Sequence, residues 1–304
     1  MKSGVYPDEK VISLDNTALN LFRACPSRFL HRIENDLVPL SEANSAVPPL
    51  KLHYGTAWHS AMDALYETGL DAAYAAFEKA AAGLEQDPYN RLSIGRGIKD
   101  LTEYAERYEA ELKILELVEN EAIVSSELRG GVTAPDGANW KVVYHGAIDK
   151  IFKLRDQIRV RDHKTTSYVS NGTQIQYMLS NQMMGYAYIV QQFYGYEELT
   201  IDVDIVGVTK VNPPSTYLRQ DIKATPVLMN EWCSEILATA SMMLQCHFTG
   251  IWPRWGERPC FMYNRRCDFF GICTADKNFR QAQMDAHYSV VPWDPEARRE
   301  IEAS

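Results

Sequence analysis

The stretch GAIDKIFKLRDQIRVRDHKTT, residues 146–166, decides the fold reading. Two runs rich in β-branched residues flank Arg155-Asp156, the signature of an antiparallel hairpin closed by a two-residue turn. With that turn, Asp149 lies directly opposite Asp162, and cross-strand partners on one face have Cβ atoms ~4.5–5.5 Å apart. Two carboxylates at that distance repel unless a cation sits between them, and oxygen donors of this kind suit Mg²⁺ or Mn²⁺. The strand period of two puts Lys164 on the face of Asp162 and turns the His163 side chain away, leaving the His163 carbonyl within reach of the cation. An ammonium there orients or acidifies a water and offsets charge on a phosphorane-like transition state. This is the minimum set for metal-assisted phosphodiester hydrolysis. An isolated Asp-x-Lys is also common on solvent-facing hairpins; the cross-strand Asp149 and the apolar flanks weigh against that reading without closing it.

Outward from the hairpin, the periodicity changes on both sides. SLDNTALNLFRACPSRFLHRI (residues 13–33) reads as a helix with Asp15 or Asn16 as N-cap, bent near Cys25-Pro26 and followed by a short helical run. VPLSEANSAVPPL (38–50) reads as a loop. From about Tyr54 to Val118 the spacing is helical, punctuated by Gly69, Gly83 and Asp87-Pro88. EAIVSSELRGGV (121–132) reads as a strand before the hairpin. TQIQYMLSNQMMGYAYIVQQFYG (173–195) returns to helical spacing and ends at Gly195, a C-cap. LTIDVDIVGVTK and STYLRQDIKAT read as strands, Pro226 to Phe248 as a helix, and the remainder from Gly250 as loop-rich. The order predicts one α/β unit: a small mixed sheet flanked by helices, with a helical insertion at 54–120 and the sheet and its helix at 121–225.

The 304 residues are 46% hydrophobic and 23% charged, which excludes a disordered, collagen-like or disulfide-dense chain. No apolar run reaches the ~18–20 residues of a membrane span. MKSGVYPDEK lacks an apolar signal-peptide core, so a cytoplasmic address is expected. The net charge of −9 means that nucleic-acid binding has to come from a local basic patch. Six cysteines in an intracellular chain are not expected to be disulfides. Cys233 and Cys246 lie in an apolar-rich helical stretch and read as inert buried thiols.

Three further residues extend the candidate site. His59 follows Gly55 in YGTAWHSAMDALYE, at the start of a predicted helix. Gln182 and Tyr186 stand one turn apart, on one face of the helix after Lys164. Each alone is commonly structural. In this order, His59 in GTAWHSAM, Asp149 in GAIDKIF, Asp162 and Lys164 in VRDHKTT, and Gln182 with Tyr186 in QMMGY resemble the RecB-like nucleases of the PD-(D/E)xK superfamily. The resemblance implies a restriction-endonuclease-like fold. It also implies a divalent metal held by His59, Asp149 and Asp162, a water assisted by Lys164, and DNA lined by Gln182 and Tyr186. Glu127 is a weaker candidate for an outer or second-metal ligand and reads more readily as a surface residue.

One branch of that family closes its nuclease domain with an iron–sulfur cluster, taking one cysteine from the N-terminal helix and three from the C-terminal end. Cys25 in ACPSRFLHR and Cys260, Cys267 and Cys273 in PCFMYNRRCDFFGIC are similar to that layout, in which residues 1–35 and 250–275 form a metal staple. Four thiolates suit a [4Fe–4S] cluster. The spacing is C-x6-C-x5-C, with Asn264 where the family often has its first distal cysteine. A structural Zn²⁺ site or free thiols stay open. Arg23, Arg28 and Arg32 flank Cys25, and Arg254, Arg258, Arg265 and Arg266 flank the distal cysteines, a basic set suited to phosphates. Trp252, Trp255, Phe261 and Tyr263 read either as base-stacking rings or as core around the metal.

The expectation is a metal-dependent deoxyribonuclease, an exonuclease on single-stranded or frayed DNA acting in recombination, repair or DNA processing. The alternative is an inactive or partner-dependent DNA-binding subunit that keeps the fold. With no phosphate-binding G-x-x-x-x-G-K-[ST] loop, a helicase or recombinase partner would be another chain. The small size suits a phage enzyme.

Overall fold

A computed structural model describes residues 2–43, 50–84, 92–170, 172–195, 199–208, 215–262 and 265–293. In chain order the strands are β1 (Gly4–Tyr6), β2 (Val11–Leu14), β3 (Leu37–Pro39), β4 (Leu115–Glu127), β5 (Val132–Thr133), β6 (Asn139–Leu154), β7 (Gln157–Thr166), β8 (Leu199–Gly207), β9 (Thr216–Ala224), β10 (Phe261–Met262), β11 (Arg265–Arg266) and β12 (Tyr288–Val290). The α-helices are α1 (Asn16–Ala24), α2 (Pro26–Phe29), α3 (Leu40–Ala43), α4 (Leu50–Glu67), α5 (Leu70–Ala80), α6 (Ile94–Arg107), α7 (Glu109–Leu112), α8 (Asn181–Tyr194), α9 (Pro226–Thr249), α10 (Glu257–Cys260), α11 (Phe270–Thr274) and α12 (Arg280–His287). They form two compact units: a hairpin unit of residues 47–124 and 146–229, and a terminal unit of 1–46, 125–145 and 230–304.

In the hairpin unit, β6 and β7 are antiparallel around the expected turn, with pairs running from Lys150–Arg161 to Leu154–Gln157 and Arg155 at φ 58°. Strand β7 is parallel to β8 from Arg159–Thr200 to Thr166–Gly207, and α8 makes the crossover such a pair needs. Strand β9 closes the order antiparallel to β8, from Leu199–Ala224 to Gly207–Thr216. The sheet is therefore mixed, as the alternating patterns imply. Helix α8 ends at Gly195, whose φ of 73° is the left-handed cap the sequence predicts.

Helices α4, α5 and α6 bury Tyr54, Trp58, Phe77, Leu101 and Tyr104 in one apolar cluster. Gly97 is required there, since a Cβ on it would stand 2.1 Å from the Phe77 ring. Helix α4 starts at Leu50, so His59 lies mid-helix and not at its beginning. Helical structure stops at Leu112 and β4 begins at Leu115, inside a run whose spacing reads as helix. Pairing with β6 overrides local propensity there. The helix after β7 begins at Asn181, and its predicted first turns are loop plus one 3-10 turn, Ile175–Tyr177. The Asp87-Pro88 punctuation lies outside the described residues.

One face of β7 carries a buried ion-pair network. Arg161, fully buried, reaches Asp202 at 2.7 Å and Glu111 at 2.7 Å. Arg219 reaches Glu111 at 2.8 Å and Asp204 at 2.7 Å, and Tyr104 donates to the same Asp204 carboxylate. The register creates these pairs, because Arg161 stands beside Asp202 and Asp204 beside Arg219. Burial alone would raise Asp204, but Arg161 and Arg219 hold it down at about 2.

The terminal unit pairs β1 with β2 antiparallel and β2 parallel to the first half of β6, Val11–Lys141 to Leu14–Tyr144. Asp15 caps α1, accepting from the Ala18 N–H at 2.6 Å and from the Trp293 indole at 2.8 Å. The chain breaks at Cys25, extended at φ −169°, and restarts at Pro26. Helix α9 lays Trp232 edge-on against Tyr144, with ring centroids 5.1 Å apart. Part of the predicted loop at 38–50 is ordered as β3 and α3, and β3 pairs with β12 near the far end of the chain. Among the described residues no helix is long and apolar enough to cross a membrane.

Truncating Arg161 takes a fully buried guanidinium from Glu111, Asp202 and Asp204, while Arg159 stays on Asp202 and Arg219 on Asp204. Arg161→Ala should cost about 2–4 kcal/mol through the lost charge-assisted hydrogen bonds and the void left behind, read as a lower midpoint in chemical denaturation. A loss under about 1 kcal/mol, typical of an exposed pair, would show that the network contributes little.

Candidate active site

The opposite face of β7 carries the residues singled out in the sequence. Alternation turns His163 toward Tyr66 and Tyr104, with ring centroids 5.7 and 6.0 Å away, and leaves Asp162 and Lys164 on the other side. The β6–β7 ladder is one step from pairing Asp149 with Asp162, and there the Asp149 side chain takes over, accepting the His163 backbone N–H at 2.8 Å. Helix α4 comes close to β7: a Cβ on Gly55 would meet the Thr165 hydroxyl at 3.4 Å. This approach brings His59 Nδ1 to 3.2 Å from Asp149 Oδ2.

The site consists of two charge pairs. Asp149, 6% exposed, faces His59, and Asp162, fully buried, faces the Lys164 ammonium at 2.8 Å. Burial would lower the His59 imidazole, but the Asp149 carboxylate outweighs it and the pKa rises. Burial would likewise raise Asp149, and His59 then Lys164 pull it well below the usual carboxylate range. Asp162 goes the other way: burial raises it, and the repulsion of Asp149 adds to this against the pull of Lys164. Lys164, which burial would lower, is kept protonated by Asp162 and Asp149. Apart from that ammonium, neither oxygen of Asp162 meets a donor among the described residues. A buried carboxylate so short of donors, beside a second carboxylate and an imidazole, fits a hard divalent cation in its donor chemistry. Among the described residues no three His, Cys, Asp or Glu side chains stand arranged to enclose an ion.

Helix α8 brings Gln182 and Tyr186 together as the helical spacing implies. Gln182 Nε2 donates to the Tyr186 hydroxyl at 2.7 Å, and that hydroxyl donates to the Ala147 carbonyl, two residues before Asp149. Tyr186 is 3% exposed and packs against Gly146, where a Cβ would be 3.0 Å from the ring. Its phenol thus holds β6 and is not an exposed lining. Glu127 pairs with Lys141 at 2.9 Å on the surface. Tyr177, which sequence reading passed over inside a presumed helix, is a half-buried electrostatic neighbour of Lys164 and Asp162, its phenol raised by burial.

In the terminal unit all six cysteines are free thiols. Cys233 and Cys246 are buried, as expected. The other four are electrostatic neighbours: burial, then Cys25 and Cys267, push the Cys273 thiol up to about 11, with a smaller effect of Cys260. Hydrogen bonds join the N-terminal helices to the distal segment: the Ser27 hydroxyl donates to the Trp252 carbonyl at 2.7 Å and its N–H to Pro253 at 3.1 Å. Arg28 lies 3.7 Å from Asp268 and Arg23 3.9 Å from Glu235, so two of the basic residues are partly neutralised. Trp252, half-buried, stacks on Phe29 at 5.8 Å and meets Phe22 edge-on. Trp255 and Phe261 are exposed. Tyr263 and Asn264 lie outside the described residues.

The family model of the PD-(D/E)XK nuclease superfamily matches residues 14–274, and the chain belongs to that superfamily. Solved structures similar to it include a chain described as "Putative exonuclease" from Eubacterium rectale, 16% identical, with a TM-score of 0.48 over 84% of this chain and 89% of that one. Another is SSO0001, 15% identical, with a TM-score of 0.31 over 77% of this chain and 91% of that one. No curated protein matches the chain.

The Gln182–Tyr186–Ala147 relay yields a stability prediction. Tyr186→Phe should cost about 1–2 kcal/mol, and a double-mutant cycle with Gln182→Ala should return a coupling of about 1 kcal/mol. Additive losses in that cycle would show that the two side chains act independently.

Proposed function

We propose that this chain is a divalent-metal-dependent DNA nuclease of the RecB-like branch, an exonuclease on single-stranded or frayed DNA. The observation that carries the reading is the buried Asp162, short of donors and flanked by Asp149, His59 and Lys164. His59, Asp149 and Asp162 would hold Mg²⁺ or Mn²⁺. The cation supplies Lewis-acid polarisation of the phosphodiester and of the attacking water.

The chain's own groups do the rest. Asp149 is ionised, fixed by the His163 N–H, and so a ready anionic donor. Lys164 is protonated, and its ammonium orients the water and offsets charge that develops on the phosphate. Gln182, half-buried at the start of α8, lines the strand path, and Tyr186 positions it and the β6 backbone. Tyr177, an electrostatic neighbour of Lys164 and Asp162, would add a phenol to the same site.

Cys25, Cys260, Cys267 and Cys273 would ligate a [4Fe–4S] cluster, with structural Zn²⁺ as the competing occupant. Their mutual proximity, drawn from sequence positions far apart, supports this reading, and thiolate donors suit either metal. Action in the cytoplasm on the DNA of recombination, repair or processing follows from this substrate and from thiols that need a reducing compartment.

Asp162→Ala and Lys164→Ala should each abolish cleavage of end-labelled DNA in Mg²⁺ or Mn²⁺ while circular dichroism shows a folded protein, and chelation should do the same to the parent. Cleavage retained in either variant would remove the site assignment. Anaerobically purified protein should carry iron and absorb near ~400 nm, as thiolate-ligated iron–sulfur centres do. Cys25→Ala should lower both the metal content and the melting temperature, and an unchanged melting temperature would refute the structural role.

A further inference from the structure

The terminal unit holds a cavity of about 170 Å³ beside Cys273, whose Sγ lies 3.9 Å from His31 Nε2. Of the four clustered cysteines only Cys273 lines it, so it is not the space between the thiols. Its polar wall is made by Arg254, Arg280, His31 and Ser27, its apolar wall by residues such as Trp252 and Ile272, and no acidic side chain among the described residues lines it.

The two arginines are aimed by backbone. Arg254 donates through Nη1 to the Cys273 carbonyl, and Arg280 donates through Nε to the Ala275 carbonyl at 3.3 Å. Both acceptors lie at the C-terminal end of α11, so one turn of chain fixes both guanidiniums. Among the described residues neither has a carboxylate partner, in contrast to Arg23 and Arg28. His31, 8% exposed, lines the same cavity, and its Nδ1 has no hydrogen-bond partner. The protein therefore orients two cations and a buried imidazole around one space and supplies no anion.

We propose that this cavity binds a phosphate group. Two guanidinium forks match the charge and geometry of a phosphate dianion, whereas a single carboxylate would satisfy only one of them. The imidazole adds a further polar contact. The ligand chemistry has two sources, the terminal phosphate of a nucleic-acid strand and free inorganic phosphate. The inference rests on the terminal unit alone and stands apart from the reading of the Asp149–Asp162 site.

The test uses the full-length protein, purified anaerobically with its metal content intact, titrated with inorganic phosphate against chloride at matched ionic strength. Binding is followed by calorimetry and by the rise in melting temperature. Phosphate should stabilise the parent where chloride does not. Arg280→Gln should bind about tenfold more weakly or worse and Arg280→Lys should bind better than Arg280→Gln, since the ammonium keeps the charge but loses the fork. Both variants should melt like the parent without phosphate. Single-stranded oligonucleotides with and without a 5′- or 3′-phosphate separate the sources. Tighter binding of a phosphorylated end, lost in Arg280→Gln, identifies a strand terminus, and equal binding of all oligonucleotides alongside phosphate stabilisation identifies the free anion. Asp162→Ala should bind phosphate like the parent, which separates failure of this inference from failure of the nuclease reading. Equal effects of phosphate and chloride, or undiminished binding by Arg280→Gln, would overturn the proposal.

Discussion

Strand β7 carries charge on both of its faces, and neither face is open to solvent at its centre. Arg161 and His163 point one way and Asp162 the other, all three fully buried. An unpaired charge in that position costs several kcal/mol, so Arg161 and Asp162 each need a partner delivered in register, whereas burial keeps the His163 imidazole neutral. Strand β8 meets the requirement of Arg161 by placing Asp202 beside it, and β9 adds Arg219 opposite Asp204. A slip of one residue between β7 and β8 would set Arg161 against Val203 and turn every carboxylate to the wrong face. The electrostatics of the back face thus fix the alignment from which the front face is built.

On the front face the same economy gives two pairs, Asp149 with His59 and Asp162 with Lys164, instead of two bare carboxylates. The pairs are unequal. Asp149 has a backbone donor as well as an imidazole and is held ionised, whereas Asp162 has only the ammonium and is raised by burial and by its neighbour. That asymmetry supports a division of labour in which Asp149 is the permanent anion and Asp162 the group most relieved by a cation. Tyr186, anchored to Ala147, extends the control of geometry to the backbone just before Asp149.

The terminal unit is held by contacts between residues more than two hundred positions apart. Ser27 bonds to Trp252 and Pro253, β3 pairs with β12, and Trp293 caps the α1 start through Asp15. These contacts bring Cys25, Cys260 and Cys267 within electrostatic reach of Cys273. The same segment fixes Arg254 and Arg280 on backbone carbonyls, leaving positive charge beside the thiols in a chain whose net charge is −9.

What the chain alone made legible was whatever repeats over a few residues. The Arg155-Asp156 turn, the opposite facing of His163 and Lys164, the meeting of Gln182 with Tyr186, the Asp15 cap and the Gly195 stop all follow from periods of 2 and 3.6 or from single-residue backbone preferences. The layout of the nuclease superfamily was readable from the same local pieces taken in order. Tertiary structure alone decided the rest. The strand at Leu115 and the place of His59 within α4 depend on partners that no local window contains. So do the packing of Trp252 between Phe22 and Phe29 and the union of Arg161, Glu111, Asp204 and Arg219. A charge reads as a solvated surface group in sequence because its burial, and the partner that makes burial tolerable, exist only once distant segments have come together.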